Sequence, residues 1–148
     1  SDADLDYASA TIVDGCMFNS GQSCCGIERV YVHATVYDDF ITKAQKLVEE
    51  YKLGDPTDSN TTLGPLATAK AADYMEEQVK DAIKKGAKLL VGGKKEVIQK
   101  GTFFQNLVQS LLLASEASLS SREAGLTQCS KVVCCPMSKQ TNAPDCLC

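Results

Sequence analysis

The chain has 148 residues, enough for one domain built around one hydrophobic core. Hydrophobic residues make up 44% and charged residues 23%, an ordinary globular composition. The formal net charge of -4 gives no attraction to nucleic acid or an anionic membrane, and no apolar run approaches the roughly 20 residues that span a bilayer, so neither kind of partner is expected.

The start, Ser1-Asp2-Ala3-Asp4, has neither the basic nor the apolar region of a secretory signal. It also lacks Met, as expected of a processed chain or a piece of a longer one. Leu5, Ala8, Ile12, Val13, Cys16 and Met17 recur three or four apart and predict a first helix. Asp2 or Asp4 can cap it, because a carboxylate accepts the unpaired N–H groups of a first turn. Asn19 to Gly26 is rich in small, turn-forming residues and ends the helix. Ile27 to His33 is β-branched and aromatic, a strand. Phe40, Ile41, Ala44, Leu47, Val48 and Tyr51 mark a second amphipathic helix, and Gly54 to Asp58 a turn. A third helical face runs from Ala71 to Ile83, with Gly86 as its C-terminal cap. Lys88-Leu89-Leu90-Val91 is a short strand stopped by Gly92-Gly93. This order of elements predicts an α/β fold.

Beyond Phe104 the periodicity fades. Leu107 to Leu119 allows one more helix, and Ser120 to Cys148 is rich in Ser and Cys with no sustained period, so an irregular, poorly ordered tail is expected over 105–148. Eight cysteines would suit a disulfide scaffold, but Cys16, Cys24 and Cys25 lie early and the other five crowd the end. The odd count and irregular spacing of the first part read as reduced and cytoplasmic. The tail cysteines include no C-x-x-C pair, which disfavours a zinc site.

Chemistry is concentrated in Asn19-Ser20-Gly21-Gln22-Ser23-Cys24-Cys25-Gly26. A cysteine nucleophile needs access, a fraction of thiolate, and donors for the charge it creates. Gly21 and Gly26 bracket the two cysteines and let backbone N–H groups come close. On spacing alone the alternative stays open that both are small residues packed under a tight bend.

The segment Phe18 to Cys24, FNSGQSC, resembles the cysteine signature of the NAD(P)-dependent aldehyde dehydrogenases. Asp2 to Asp6, Arg29 to His33, Leu53-Gly54-Asp55-Pro56, Leu63-Gly64-Pro65-Leu66 and Gly86 to Gly93 resemble, in the same order, segments of that family's catalytic domain. The resemblance covers residues 1–104. It implies a mostly parallel sheet with flanking helices, Cys24 as the catalytic nucleophile, and Gly21, Gln22, Ser23 and Cys25 in the vicinity of substrate and oxyanion. It also implies an aldehyde substrate, NAD or NADP as cofactor, and oxidation to a carboxylic acid through a thiohemiacetal and a thioester. A fragment of such a sheet leaves strand edges open, so a tendency to aggregate, to form an oligomer or to seek a partner chain is expected.

The sequence also departs from the family pattern. The Glu-Leu-Gly-Gly motif of the general base, the oxyanion amide and the dinucleotide-binding domain would precede Asp2, and the 148 residues do not include them. Where the family has a ribose-binding Glu-x-Phe-Gly-Pro motif, this chain has Arg122-Glu123-Ala124-Gly125-Leu126, so Glu123 is not expected to bind cofactor. A shifted frame, a retained intron or a faulty gene model would give such a tail. The first expectation is therefore a truncated aldehyde dehydrogenase, inactive by itself, that bears Cys24. A non-catalytic fragment pairing with a full-length enzyme is the second, and a small Cys-rich binding module a disfavoured third. Open sheet edges predict marginal stability. His33, the only histidine, reads as a surface residue at a strand end, and Asn60-Thr61-Thr62 as an incidental match to a glycosylation acceptor. Lys80, Lys84, Lys85 and Lys88 read as a solvated basic run near a helix end, and Lys94-Lys95 as surface loop.

Overall fold

The computed structural model describes residues 2–27, 29–98, 101–104, 108–111 and 129–134. Helix α1 spans Leu5–Met17. Of the two candidate caps, Asp4 is the one used: its carboxylate accepts from the backbone N–H groups of Asp6 at 3.0 Å and Tyr7 at 3.1 Å. Strand β1 is Arg29–His33, helix α2 is Tyr37–Glu49 and helix α3 is Ala69–Lys84. Thr68 caps α3 through its side chain. At the other end the Gly86 N–H bonds to the Ile83 carbonyl and the Ala87 N–H to the Ala82 carbonyl, both at 3.0 Å. That is a Schellman ending, and it needs the left-handed φ of +94° that Gly86 adopts without a steric penalty.

The main core lies where α1, β1 and α2 meet. Val13, Cys16 and Met17 of α1, Val30 and Val32 of β1, and Phe40, Ile41, Ala44 and Val48 of α2 are buried together. A second cluster, Leu66, Ala71, Ala72, Met75 and Val79, fixes α3 and meets Leu89. Lys43 of α2 pairs with Asp6 of α1 across the helix surfaces.

Strand β2 is Lys88–Val91, β3 Lys95–Ile98, β4 Gly101–Phe104, β5 Val108–Leu111 and β6 Cys129–Cys134. One sheet has the order β1-β6-β5-β2, and β3 pairs with β4 in a separate hairpin. Four expectations are corrected here. The sheet is not mostly parallel: every ladder among the described strands is antiparallel, and the single parallel bridge joins Leu53 to Leu63. Helical crossovers would make β1 and β2 parallel neighbours, but β6 and β5 lie between them. The alternating burial of β1, with Val30 and Val32 inside and Tyr31 outside, suits a sheet covered on one face. Second, residues 108–111 form strand β5 rather than part of a helix. A short apolar run fits either period, and pairing with β2 and β6 decides it. Residues 112–119 lie outside the described residues. Third, the segment 105–148 is not wholly irregular, since β5 and β6 belong to it. Fourth, Lys95 opens strand β3 rather than lying in a loop, and its ammonium pairs with Asp73 of α3. The basic run is also partly paired: Lys80 meets Glu76 at 3.0 Å and Lys85 meets Asp81 at 2.7 Å, each one helical turn away.

Phe40 is 3% exposed at the junction of α1, β1 and α2. Phe40→Ala is expected to lower the urea midpoint by the equivalent of about 3–5 kcal/mol, a large part of a typical stability of about 5–15 kcal/mol, as read by circular dichroism. Tyr51 packs against the same core. Burial first, then Asp14 and Cys16, raise its phenol above the usual value of 10.0. The fold therefore favours the neutral phenol. That stability is fully present below the unfolded value and is lost as pH rises through the folded one. Between about pH 8 and about pH 11, wild type should lose more stability than Tyr51→Phe.

Candidate functional site

Helix α1 stops at Met17, and the next residues reverse the chain in an unusual way. Asn19 has φ 51° and ψ 40°, and Ser20 has φ 58° and ψ 32°. Gly21 follows at φ 75°. Three consecutive left-handed residues are seldom stable alone, because a left-handed conformation costs a residue with a Cβ roughly 1–2 kcal/mol. Asn tolerates it better than most, through local hydrogen bonds. Here the Asn19 side-chain amide donates to the Gln22 carbonyl at 3.2 Å, and the Gln22 N–H donates to the Asn19 carbonyl at 3.0 Å.

The cysteines occupy the next turn. The Gly26 N–H donates to the Ser23 carbonyl at 3.1 Å, which places Cys24 and Cys25 at the two central positions. Both are exposed, unlike Cys16, which is buried. The reading that the pair is packed under the bend is therefore corrected: the bend turns both out to solvent. The Ser23 hydroxyl lies 3.3 Å from the Cys25 sulfur. The Ile27 N–H then donates to the Gly15 carbonyl at 3.1 Å, returning the chain onto α1. A Cβ on Gly15 would lie 2.6 Å from Ile27 Cδ1, so glycine leaves the room for that return.

Two further ties come from the segment before α3. The Ala67 N–H donates to the Gln22 amide oxygen at 2.8 Å, and the Gln22 amide nitrogen donates to the Asn19 carbonyl at 3.1 Å. The Ser20 hydroxyl donates to the Gly64 carbonyl at 3.0 Å. Gly21, Gln22, Ser23, Cys24 and Cys25 follow one another along this turn, and the structure adds Ser20, Gly64 and Ala67 as the residues that tie it to the segment before α3. These contacts span 44 and 45 residues of sequence. The Leu63-Gly64-Pro65-Leu66 motif marks the second loop in the sequence, but nothing in its spacing says which loop it meets.

His33 takes no part in this cluster. Its ring nitrogen Nδ1 lies 2.8 Å from the Thr35 hydroxyl and accepts from the Thr35 N–H at 3.3 Å, so it caps the turn after β1. Glu123 lies outside the described residues, as do Cys135, Cys146 and Cys148. Among the described residues no three His, Cys, Asp or Glu side chains gather to hold a metal, and no helix is long and apolar enough to cross a membrane.

A dinucleotide would need a cradle for its diphosphate, usually free N–H groups at a helix N-terminus. Asp4 already fills that position on α1, Thr68 fills it on α3, and α2 carries Asp38 and Asp39 in its first turn. A cleft of about 570 Å³, whose lining includes Val48, Glu49, Tyr51, Glu96 and Ile98, shares no residue with the cysteine turn and carries two carboxylates. Neither these helix N-termini nor this cleft fits the dinucleotide.

The sequence model of the aldehyde dehydrogenase family matches residues 1–117. Succinate-semialdehyde dehydrogenase [NADP(+)] 1 of Mycobacterium tuberculosis is 45% identical over 93 residues, which cover 63% of this chain and 20% of that protein. For 3-sulfolactaldehyde dehydrogenase of Priestia aryabhattai the identity is 39% over 95 residues, covering 64% and 20%. Among solved structures, 3,6-anhydro-L-galactose dehydrogenase superposes with a TM-score of 0.69 at 40% identity, over 72% of this chain and 23% of its own. Betaine aldehyde dehydrogenase of Staphylococcus aureus, solved in complex with NAD+, gives a TM-score of 0.68 at 29% identity, over 72% and 22%. The chain spans about a fifth of the length of the curated relatives it matches.

The exposure difference has a direct test. With iodoacetamide under native conditions and peptide mapping by mass spectrometry, Cys24 and Cys25 should be alkylated at least about tenfold faster than buried Cys16, because alkylation requires solvent access to the thiolate. Equal rates in the folded chain would contradict the geometry of the turn.

Proposed function

The chain belongs to the aldehyde dehydrogenase family, and on that premise we propose that it is the cysteine-bearing segment of a catalytic domain that oxidises an aldehyde to a carboxylic acid, with Cys24 as the nucleophile. The observation that carries this reading is the exposed position of Cys24 on a tightly held turn. A thiolate there can add to a carbonyl carbon. The carbon–oxygen π pair moves onto oxygen, giving a thiohemiacetal oxyanion. Backbone N–H groups around the cysteine are the chain's own donors for that charge. The NAD or NADP of the family supplies the hydride acceptor when bound. Hydrolysis of the resulting thioester also calls for a general base, whose loss typically lowers rates by about 10²–10⁴.

The proposed role of the 148 residues alone is therefore covalent capture without turnover. The domain boundary at 104 and the cytoplasmic location belong to the same reading. Pairing with a longer enzyme is a second reading. It is favoured by the open strand edges of the four-stranded sheet, where β1 and β2 lie outermost.

An activated ester separates these elements. With p-nitrophenyl acetate, the purified chain should show acetylation at Cys24, found by peptide mapping, followed by slow release. Cys24→Ser should abolish that adduct and Cys25→Ser should retain it. With aldehyde and NAD or NADP, the chain alone should form no reduced cofactor by absorbance. An adduct confined to Cys25, or steady reduction of cofactor, would overturn the proposal.

A further inference from the structure

The Gln22 side chain sits two residues before Cys24, within reach of a role at the reacting oxygen. Both of its ends are already used. Its oxygen accepts from the Ala67 N–H at 2.8 Å and its nitrogen donates to the Asn19 carbonyl at 3.1 Å. It therefore bridges two turns that are far apart in sequence. The Ser20 hydroxyl adds a second tie to the same segment, at the Gly64 carbonyl. These ties hold the part of the chain that least wants its conformation, the left-handed run at Asn19, Ser20 and Gly21. A turn strained in this way persists only when its surroundings over-determine it.

We propose that Gln22 is a positioning residue, a strut that locks the cysteine turn onto the 64–67 segment and so fixes where the Cys24 sulfur lies. Its amide does not donate to an oxyanion. The 64–67 segment, which makes no chemistry of its own, thereby becomes part of the apparatus that aims the thiol. This inference rests on the reading of Cys24 as the working thiol. Without the strut, Asn19 and Ser20 relax toward the right-handed region, the turn at 23–26 moves with them, and the approach to Cys24 changes. Ser20 contributes in the same direction through a shorter lever.

The test uses the whole chain and two readouts. The first is amide hydrogen exchange at Ala67, which reports the strut without reference to Cys24. Gln22→Met keeps the length of the side chain and removes both hydrogen bonds. It should speed Ala67 exchange about fivefold, the factor expected for one lost hydrogen bond, while amides in the middle of α3 keep their protection. Gln22→Glu keeps an acceptor for the Ala67 N–H and should retain that protection. The second readout is the ratio of Cys24 to Cys25 alkylation rates. It should shift in Gln22→Met and, less strongly, in Ser20→Ala. Should Gln22→Met fail to fold, as judged by exchange in α3, Ser20→Ala carries the test through the same ratio. Unchanged Ala67 exchange in folded Gln22→Met would overturn the strut. Faster Ala67 exchange with an unchanged alkylation ratio would overturn its role in aiming Cys24. If wild type captures electrophile at Cys25 rather than Cys24, the nucleophile assignment fails while the Ala67 result still decides the strut.

Discussion

The return of the chain onto helix α1 at Ile27 is the contact on which the cysteine turn depends. The Ile27 N–H bonds to the Gly15 carbonyl, and the Ile27 side chain occupies space that any side chain at position 15 would contest. Residues 18–26 are thus a loop closed on one helix, with both ends fixed by the same element. A short closed loop has few conformations, which is how it can keep Asn19 and Ser20 left-handed. The apolar seam of α1, β1 and α2 holds those ends in turn, since Cys16, Met17 and Val30 are all buried in it.

Within that frame the division of labour among neighbouring side chains is clear. Cys16 faces the core and serves packing. Cys24 and Cys25 face solvent, and Cys25 has a hydroxyl neighbour in Ser23. One residue type therefore has two physical roles within ten positions. The difference arises because helix α1 ends between them, so that an inward-facing stripe gives way to an outward turn.

The sheet tells a different story from the site. Its ladders are antiparallel, and two of its four strands lie beyond residue 104. The solved relatives superpose on 72% of the chain, and the chain covers about a quarter or less of each of them. Helices and turns with local capping, such as Asp4 on α1 and the Schellman ending of α3, depend little on distant chain. Strand partners are non-local, so a strand pairs with whatever edge it meets.

Local physics made much of this protein legible from its sequence. Three helices, the strand after the cysteines, the cap at Gly86 and the glycine-flanked turn follow from apolar period, capping residues and turn residues that act within a few positions, whereas the exposure of that turn is tertiary. Strand pairing did not follow, nor did the hairpin of β3 and β4, whose short mixed sequence at Lys95 reads equally well as a loop. The decisive parts of the site were also tertiary. That Gln22 reaches Ala67 and Ser20 reaches Gly64 is set by the approach of the segment before α3 to the turn after α1, not by any spacing in the chain. Sequence determined which residues could form the cysteine turn, because turn chemistry is local. Only the fold decided what holds that turn in place, because a hydrogen bond across 45 residues exists only after both segments have been packed.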